Sequence, residues 1–232
     1  MGDLNQMLFG VFPYIALSIF LLGSLVRFER EQYTWKSGSS QMLRRRGMTW
    51  ASNLFHIGIL GLLAGHAVGL LTPIAVFDAI GVSHAAKQML AIVAGGLFGV
   101  MCLVGLVMLV WRRLTDPRIR ATSSLMDIFI LLLILAQLLL GLITIPFSLA
   151  HSDGETMVRF MEWAQRIVTF RGGAAELIEG VPLVFKLHIL FGMILFVVFP
   201  FSRLVHIWSA PIGYVGRRYQ IVRTRRRPAS AS

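Results

Sequence analysis

The chain has 232 residues, of which 56% are hydrophobic and 14% are charged, and it carries a formal net charge of +11. This composition excludes an ordinary soluble domain and is typical of a polytopic membrane protein that folds as one unit over residues 1–232. The basic residues lie in short loops between apolar runs, which indicates membrane topology rather than a nucleic-acid partner. Cys102 is the only cysteine, so an internal disulfide and the four-thiolate ligation of an iron–sulfur cluster are both excluded.

Five apolar runs are each long enough to cross a membrane as a helix, so we predict an all-α bundle of five transmembrane helices. In chain order the runs cover residues 7–26, 50–71, 88–111, 125–149 and 181–208. The first run has neither a basic leading segment nor a small-residue cleavage site, so we expect a retained span rather than a signal peptide. The connection before the fifth run predicts a short helix on the membrane surface over residues 155–170.

The distribution of basic residues predicts the orientation of the bundle. Of the 22 lysines and arginines, 16 lie in the first loop, the third loop and the C-terminal tail, one more, Arg203, lies near the end of the fifth run beside the tail, and five lie elsewhere. The positive-inside rule then places the N-terminus outside and the basic tail, residues 209–232, in the cytoplasm. We therefore expect a multi-pass protein of the cell (inner) membrane, in contact with lipid, whose second and fifth helices run antiparallel.

Four of the six histidines lie on these two antiparallel helices, His56 and His66 on the second and His188 and His206 on the fifth. At 1.5 Å rise per residue, the depths pair His56 with His206 and His66 with His188 with mismatches of about 6 Å, whereas the opposite pairing gives about 20 Å. Helix tilt can absorb the smaller mismatch. His188 and His206 are also separated by five full turns, so we expect both to point the same way.

Two histidine pairs stacked across a membrane predict two b-type haems, because the chain has no CxxCH motif for covalent haem attachment. No loop is long enough to hold a soluble catalytic domain, so the pattern indicates an electron-transfer subunit. Two other classes remain open. The histidines would relay protons in a transporter or channel, which would be colourless. Alternatively, the protein would be a structural anchor, whose histidines could be replaced without loss of electron transfer.

Other residues have both a functional and a plain interpretation. Arg112, Arg113 and Arg203 lie near the depth of the inner pair, where they would bind haem propionates or serve as ordinary interface anchors. Gly61, Gly65 and Gly69 form a bare stripe that would admit a porphyrin face or allow close helix packing.

Three residues near the outer ends of the helices complete the candidates. Lys87 would hydrogen-bond a quinone oxygen beside the outer haem, or would be a solvated loop residue. His84 precedes it by three residues and has the same two interpretations. We expect His151 to be a surface histidine.

Four segments of the chain resemble the gamma subunit of membrane-bound respiratory nitrate reductase, a dihaem cytochrome b. The segments are YIALSIFLLGSLVRFEREQYTWKSGSSQML, WASNLFHIGILGLLAGHAVGLLTP, the IPFS ending at Ser148, and KLHILFGMILFVVFPFSRLVHIWSAP. The resemblance implies that quinol is oxidised near the outer haem, and that electrons pass to an iron–sulfur beta subunit and then to a molybdenum-containing alpha subunit that reduces nitrate.

Residue by residue, the family's four haem ligands match His56, His66, His188 and His206, and its quinol-site positions match Gly65 and Lys87. Residues 74–86 and the arginine-rich tail after Val222 resemble the family less, which leaves the quinone preference and the docking details open. A dihaem anchor of another reductase, such as a heterodisulfide or sulfite-type complex, is the nearest alternative.

Overall fold

The computed structural model describes residues 2–40, 43–44, 47–150, 153–209 and 216. His151 and the predicted basic tail, apart from Ser209 and Gly216, lie outside these described residues. Within them the chain is almost entirely helical and has no β-strand.

The described residues form nine α-helices joined by short turns and by 3₁₀ or π segments. The α-helices are α1 (Gly2–Gln6), α2 (Phe12–Arg30), α3 (Met48–Leu71), α4 (Ile74–Ala79), α5 (His84–Thr115), α6 (Pro117–Ala121), α7 (Leu125–Ala150), α8 (Glu155–Val168) and α9 (Leu183–Val198). Five stretches are long and apolar enough to cross a membrane: Asp3–Arg30, Met48–Leu71, His84–Thr115, Leu125–Ala150 and Leu183–Phe201. The predicted all-α fold with five spanning helices is thus confirmed.

Among the spanning helices, α3 packs against α5, α5 against α7, and α7 against α9. Helix α2, which belongs to the first span, packs against α9 of the last span. Small residues bring α3 and α5 close together. A Cβ added at Gly58 of α3 would lie 2.5 Å from the backbone nitrogen of Cys102, and one added at Gly105 of α5 would overlap the backbone of Phe55. Glycine is therefore required at both positions for this close approach.

A π-helical segment, Met7–Val11, precedes α2 because Pro13 has no N–H group and cannot continue the regular ladder. The carbonyl that Pro13 leaves without its helical donor belongs to Phe9. That carbonyl accepts a hydrogen bond of 2.9 Å from the indole Nε1 of Trp163 on α8. The side chains of Phe9 and Trp163 also share a buried apolar cluster with Ile167 and Ile178.

Helix α8 covers the end of the bundle that contains His66, here called the His66 end. The Gln165 side chain donates hydrogen bonds of 3.1 Å to the carbonyls of Leu70 and Thr72, where α3 ends. The short helix predicted over residues 155–170 therefore exists, and it satisfies carbonyl groups that the helix terminus leaves without partners.

The fifth spanning helix is shorter than predicted. Helix α9 ends at Val198, and the chain continues as a 3₁₀ turn, Phe199–Phe201, an extended Ser202 and a 3₁₀ segment, Arg203–Ser209. Pro200 explains the break, because its ring removes a helical N–H donor and clashes with the preceding turn. The expectation of one regular helix over residues 181–208 is wrong, and the five-turn argument for the direction of His206 fails with it.

The third spanning helix begins earlier than predicted, at His84 rather than at residue 88. The Ser83 hydroxyl oxygen caps this helix by accepting a hydrogen bond of 3.2 Å from the backbone N–H of Ala86. Lys87 therefore lies in the first turn of α5 and not in a loop.

Candidate functional site

His66 and His188 face each other between α3 and α9. Their ring centroids are 6.0 Å apart, with an angle of 45° between the ring planes. Two imidazoles on opposite sides of one metal ion, with metal–nitrogen bonds of about 2 Å, place their ring centres about 6 Å apart. The spacing of this pair therefore fits a single metal held between the two rings.

A haem iron brings four equatorial ligands with it and needs only two from the protein. In the described part of the chain, no group of three or more His, Cys, Asp or Glu side chains is placed to hold a metal ion by itself. The donor set of the His66 end thus fits a tetrapyrrole iron better than a bare metal ion.

Backbone carbonyls fix the tautomer of three of the four predicted ligands. Nδ1 of His56 and Nδ1 of His66 each lie 2.7 Å from the carbonyl oxygen four residues earlier, and Nδ1 of His206 lies 2.6 Å from the carbonyl of Arg203. A carbonyl can only accept a hydrogen bond, so Nδ1 carries the proton in each ring. Nε2 then keeps the lone pair that a metal requires.

The fourth ligand, His188, sits against two residues of α7 that the sequence analysis missed. A Cβ at Gly141 would lie 2.9 Å from Cε1 of His188, so only glycine leaves room for the ring. Nδ1 of His188 and Oε1 of Gln137 are both buried without a hydrogen-bond partner among the described residues. Gln137 is the only side-chain amide in its apolar run, and that was the signal available in the sequence.

The second predicted pair is not brought together in the same way. Among the described rings there is a contact between His66 and His188, but none between His56 and His206, and His56 instead packs beside Phe55 with centroids 5.2 Å apart. His206 lies on the 3₁₀ segment beyond the break at Pro200. Its pairing with His56 stays a prediction.

The three candidate propionate ligands already have partners in the protein. Nε of Arg203 donates to Oδ1 of Asp127 at 2.8 Å, and Nη1 of the buried Arg113 lies 3.7 Å from the other oxygen of that carboxylate. Arg112 donates to the backbone carbonyls of Ser40 and Arg44. These contacts fix the guanidinium groups near the end of the bundle that contains His56, and propionate binding stays a prediction.

Lys87 is only 6% exposed, so its interpretation as a solvated loop residue is wrong. Its ammonium donates a hydrogen bond of 3.1 Å to the carbonyl of Gly69 and lies 3.9 Å from the centre of the Phe77 ring. Carbonyl oxygens and aromatic faces are the groups that stabilise a buried ammonium. Lys87 therefore reaches α3 one turn beyond Gly65.

The glycine stripe on α3 has two different uses. A Cβ at Gly61 would collide with the Phe98 ring of α5, whereas one at Gly65 or Gly69 would meet no atom of the described residues within 4 Å. Close helix packing therefore explains Gly61. Gly65 and Gly69 leave an open, bare surface beside His66.

A narrow cleft next to Lys87 is lined by Ile74, Phe77, His84, Met157 and Met161. His84 is half exposed, and its Nε2 lies 3.4 Å from a carboxylate oxygen of Asp78. The cleft thus combines one buried ammonium with mainly apolar walls at the His66 end.

Fold and site together define a class: a protein whose described residues are all-helical, with five helices able to span a membrane and two imidazoles that face each other from two of those helices. Comparison with known proteins specifies it further. The chain belongs to the nitrate reductase gamma subunit family, whose model matches residues 5–225.

Three relatives support this assignment. The chain is 53% identical over 225 residues to the respiratory nitrate reductase 1 gamma chain of Escherichia coli, covering 97% of this chain and 100% of the relative. It is 54% identical to the respiratory nitrate reductase 2 gamma chain of the same organism, over 96% of this chain and 98% of the relative. It is 40% identical to the nitrate reductase gamma chain of Bacillus subtilis, over 95% and 99% respectively. The predicted family is confirmed, and the chain is a subunit of an oxidoreductase complex.

Proposed function

We propose that this chain is the quinol-oxidising, dihaem cytochrome b subunit of a nitrate reductase in the cell (inner) membrane. His66 and His188 would hold the outer haem b, and His56 and His206 would hold the inner one. The chain would pass electrons from quinol to an iron–sulfur beta subunit, and a molybdenum-containing alpha subunit would reduce nitrate. The observation that carries the proposal is the 6.0 Å spacing of the His66 and His188 rings.

The protein supplies oriented imidazoles, and each haem would supply a one-electron carrier. His56 and His66 lie ten residues apart on the uninterrupted helix α3, which separates them by about 15 Å along its axis. Two sites at that separation bridge much of a hydrocarbon core about 30 Å thick. Arg112, Arg113 and Arg203 would neutralise propionates at the inner site.

The placement of Lys87 and Gly65 at the His66 end supports a quinol site beside the outer haem. The buried ammonium of Lys87 would donate to a quinone oxygen, and the bare surface at Gly65 would let a flat ring approach His66. Oxidation of one quinol gives quinone, two electrons and two protons. With the N-terminus outside, the protons leave on the outer side while the electrons move inward.

The first test is a reduced-minus-oxidised spectrum of the detergent-purified complex. We expect two b-type haems in the parent protein, the loss of one in His66→Ala and the loss of the other in His56→Ala. His84→Ala is the matched control, because it removes a histidine that lies near the same end but is not a proposed ligand, and it should retain both haems. A colourless parent would overturn the proposal and favour a proton channel or transporter.

Quinol chemistry needs a separate test with Lys87→Met, which keeps the side-chain length and removes the donor. Loss of a charge-assisted hydrogen bond worth about 1.5–3 kcal/mol lowers kcat/KM for quinol by roughly ten- to a hundred-fold. Steady-state quinol oxidation measures this ratio, and the spectrum should still show two haems. An unchanged kcat/KM contradicts the site at Lys87, and a parent complex whose haems quinol cannot reduce contradicts the function itself.

A further inference from the structure

The segment that carries His206 lies outside any α-helix. Helix α9 ends at Val198, and Ser202 has extended backbone angles, so helical hydrogen bonds do not tie the Arg203–Ser209 segment to α9. A metal ligand must nevertheless be held in one orientation. Contacts with other parts of the chain must therefore hold the Arg203–Ser209 segment in place.

Two of these contacts hold the ends of the segment. Nη1 of Arg27 on α2 donates to the carbonyls of Pro200 and Ser202, at 2.7 and 2.9 Å. Nε1 of Trp35 donates to the Ser209 hydroxyl at 2.7 Å. They fix where the segment begins and ends, while His206 lies between them.

The third contact acts on the residue that orients His206. Nε of Arg203 donates to Oδ1 of Asp127 at 2.8 Å, and the backbone carbonyl of the same Arg203 accepts the hydrogen bond from Nδ1 of His206 at 2.6 Å. A carboxylate on α7 is thereby linked through a single residue to the imidazole ring.

Asp127 is itself held in place. Its Oδ2 accepts a hydrogen bond of 3.0 Å from the backbone N–H of Ser124, and its side chain is only 17% exposed. The guanidinium of Arg113 lies 3.7 Å from the same oxygen. Without the carboxylate, the like charges of Arg113 and Arg203 would repel each other and push Arg203 away from α7.

We propose that Asp127 is a positioning residue for His206: through Arg203 it fixes the backbone carbonyl that sets the plane and tautomer of the inner imidazole. The role of His206 as a haem ligand is taken from the proposed function. The link from Asp127 to the Arg203–Ser209 segment does not depend on that ligation and can be measured by itself.

The experiment compares Asp127→Ala with Asp116→Ala in the full chain within its complex. Asp116 is a matched control because it also lies at the start of a helix and pairs with an arginine, Arg44, at 2.6 Å, while its partners among the described residues lie outside the His206 segment. Hydrogen–deuterium exchange of the peptide 203–209 reports the order of the segment, and the ferric low-spin electron paramagnetic resonance signal of each haem reports the geometry of its ligands.

In Asp127→Ala we expect exchange over residues 203–209 to rise several-fold and the inner-haem signal to shift or broaden, while the outer-haem signal stays as in the parent. Asp116→Ala should change neither measurement. Asp127→Glu should restore most of the inner signal, because a carboxylate remains within reach of Arg203.

Parent-like exchange and an unchanged inner signal in Asp127→Ala would overturn the proposal. Equal changes at both haems would also overturn it, because they indicate general destabilisation. If Asp127→Ala does not fold, Asp127→Asn removes the charge and keeps one acceptor oxygen, and it must show the same selective change on a smaller scale. A His206→Ala variant that retains two haems would instead refute the proposed function, and the exchange result would stand independently of it.

Discussion

At the scale of single residues, the chain uses glycine for two opposite purposes on the same helix. Gly58 lets the backbones of α3 and α5 approach closely, whereas Gly65 faces open space beside His66. The same residue type therefore gives tight packing at one position and an accessible surface two turns away. Only the placement of the neighbouring helix distinguishes the two uses.

This difference gives a paired prediction. Gly58→Ala forces a methyl group against the backbone of α5 and should cost about 1–3 kcal/mol of unfolding free energy. The methyl group of Gly65→Ala meets no atom of the described part of the chain. The variant should leave the unfolding free energy unchanged or raise it by up to about 1 kcal/mol, because alanine favours a helix over glycine.

Thermal unfolding in detergent measures the stability of both variants, and quinol oxidation measures the role proposed for Gly65. We expect Gly65→Ala to keep its stability and lose quinol turnover. Equal destabilisation of the two variants would show that Gly65 is also a packing position.

Among the helices, two are interrupted by proline, and backbone carbonyls near each interruption accept hydrogen bonds from side chains in distant parts of the chain. Pro13 frees the carbonyl of Phe9 for Trp163, and the break at Pro200 frees carbonyls that Arg27 occupies. Elements far apart in sequence are thus joined where proline has interrupted a helix. Each of these two contacts depends on one donor side chain, Trp163 or Arg27, which can be replaced by mutation.

Trp163→Phe tests the first of these contacts, the hydrogen bond from Trp163 to the Phe9 carbonyl. The ring still fills most of the buried site, but the Phe9 carbonyl loses its donor, which should cost about 1–3 kcal/mol. Trp111→Phe is the control, because Trp111 is 70% exposed on the bundle surface and should change the unfolding free energy by less than about 0.5 kcal/mol. Thermal unfolding of the two variants should therefore differ, and equal midpoints would show that the indole hydrogen bond contributes nothing.

The loop between α5 and α6 is joined to the first basic loop by a pH-dependent contact. The hydrogen bond from Arg44 lowers the pKa of Asp116, so the folded state favours the charged carboxylate. The contribution of this carboxylate to the free energy of unfolding is complete above its pKa in the unfolded chain, which is about 4. It is lost as the pH falls through the lower pKa of the folded state.

Asp116→Asn should therefore unfold at a lower temperature than the parent near pH 7, and the difference should narrow as the pH falls below about 4. Thermal scans of both proteins across this range provide the measurement. A difference that persists unchanged in acid would show that Asp116 acts through its shape and not through its charge.

At the scale of the whole molecule, the sequence predicts best what depends on apolar length. The five spans and the contact between His66 and His188 follow from hydropathy and from regular helical rise, because α3 is uninterrupted and α9 is regular up to Val198. His206 lies beyond Pro200, where helical rise no longer applies, so its direction could not be derived. The burial of Lys87 depends on where α8 packs, and the link from Asp127 to Arg203 depends on tertiary contacts with no sequence signal.

The orientation of the bundle is a further property of the whole molecule. With the N-terminus outside, Tyr33→Cys lies on the cytoplasmic side and Ile80→Cys on the outer side; these positions are 99% and 66% exposed. In right-side-out vesicles, a membrane-impermeant maleimide should label Ile80→Cys and spare Tyr33→Cys, and inverted vesicles should reverse the result. The native Cys102 is buried and supplies the unlabelled background.

The hydrogen bond between Trp163 and Phe9 joins residues 154 positions apart. An unpaired carbonyl is costly in an apolar environment, so the first span cannot reach its final state when it enters the membrane during synthesis. The π-helical segment Met7–Val11 lacks this hydrogen bond until α8, which begins two-thirds of the way along the chain, has been synthesised and has packed at the same end of the bundle. The first span therefore reaches its final geometry only through a helix that follows the fourth span in the chain.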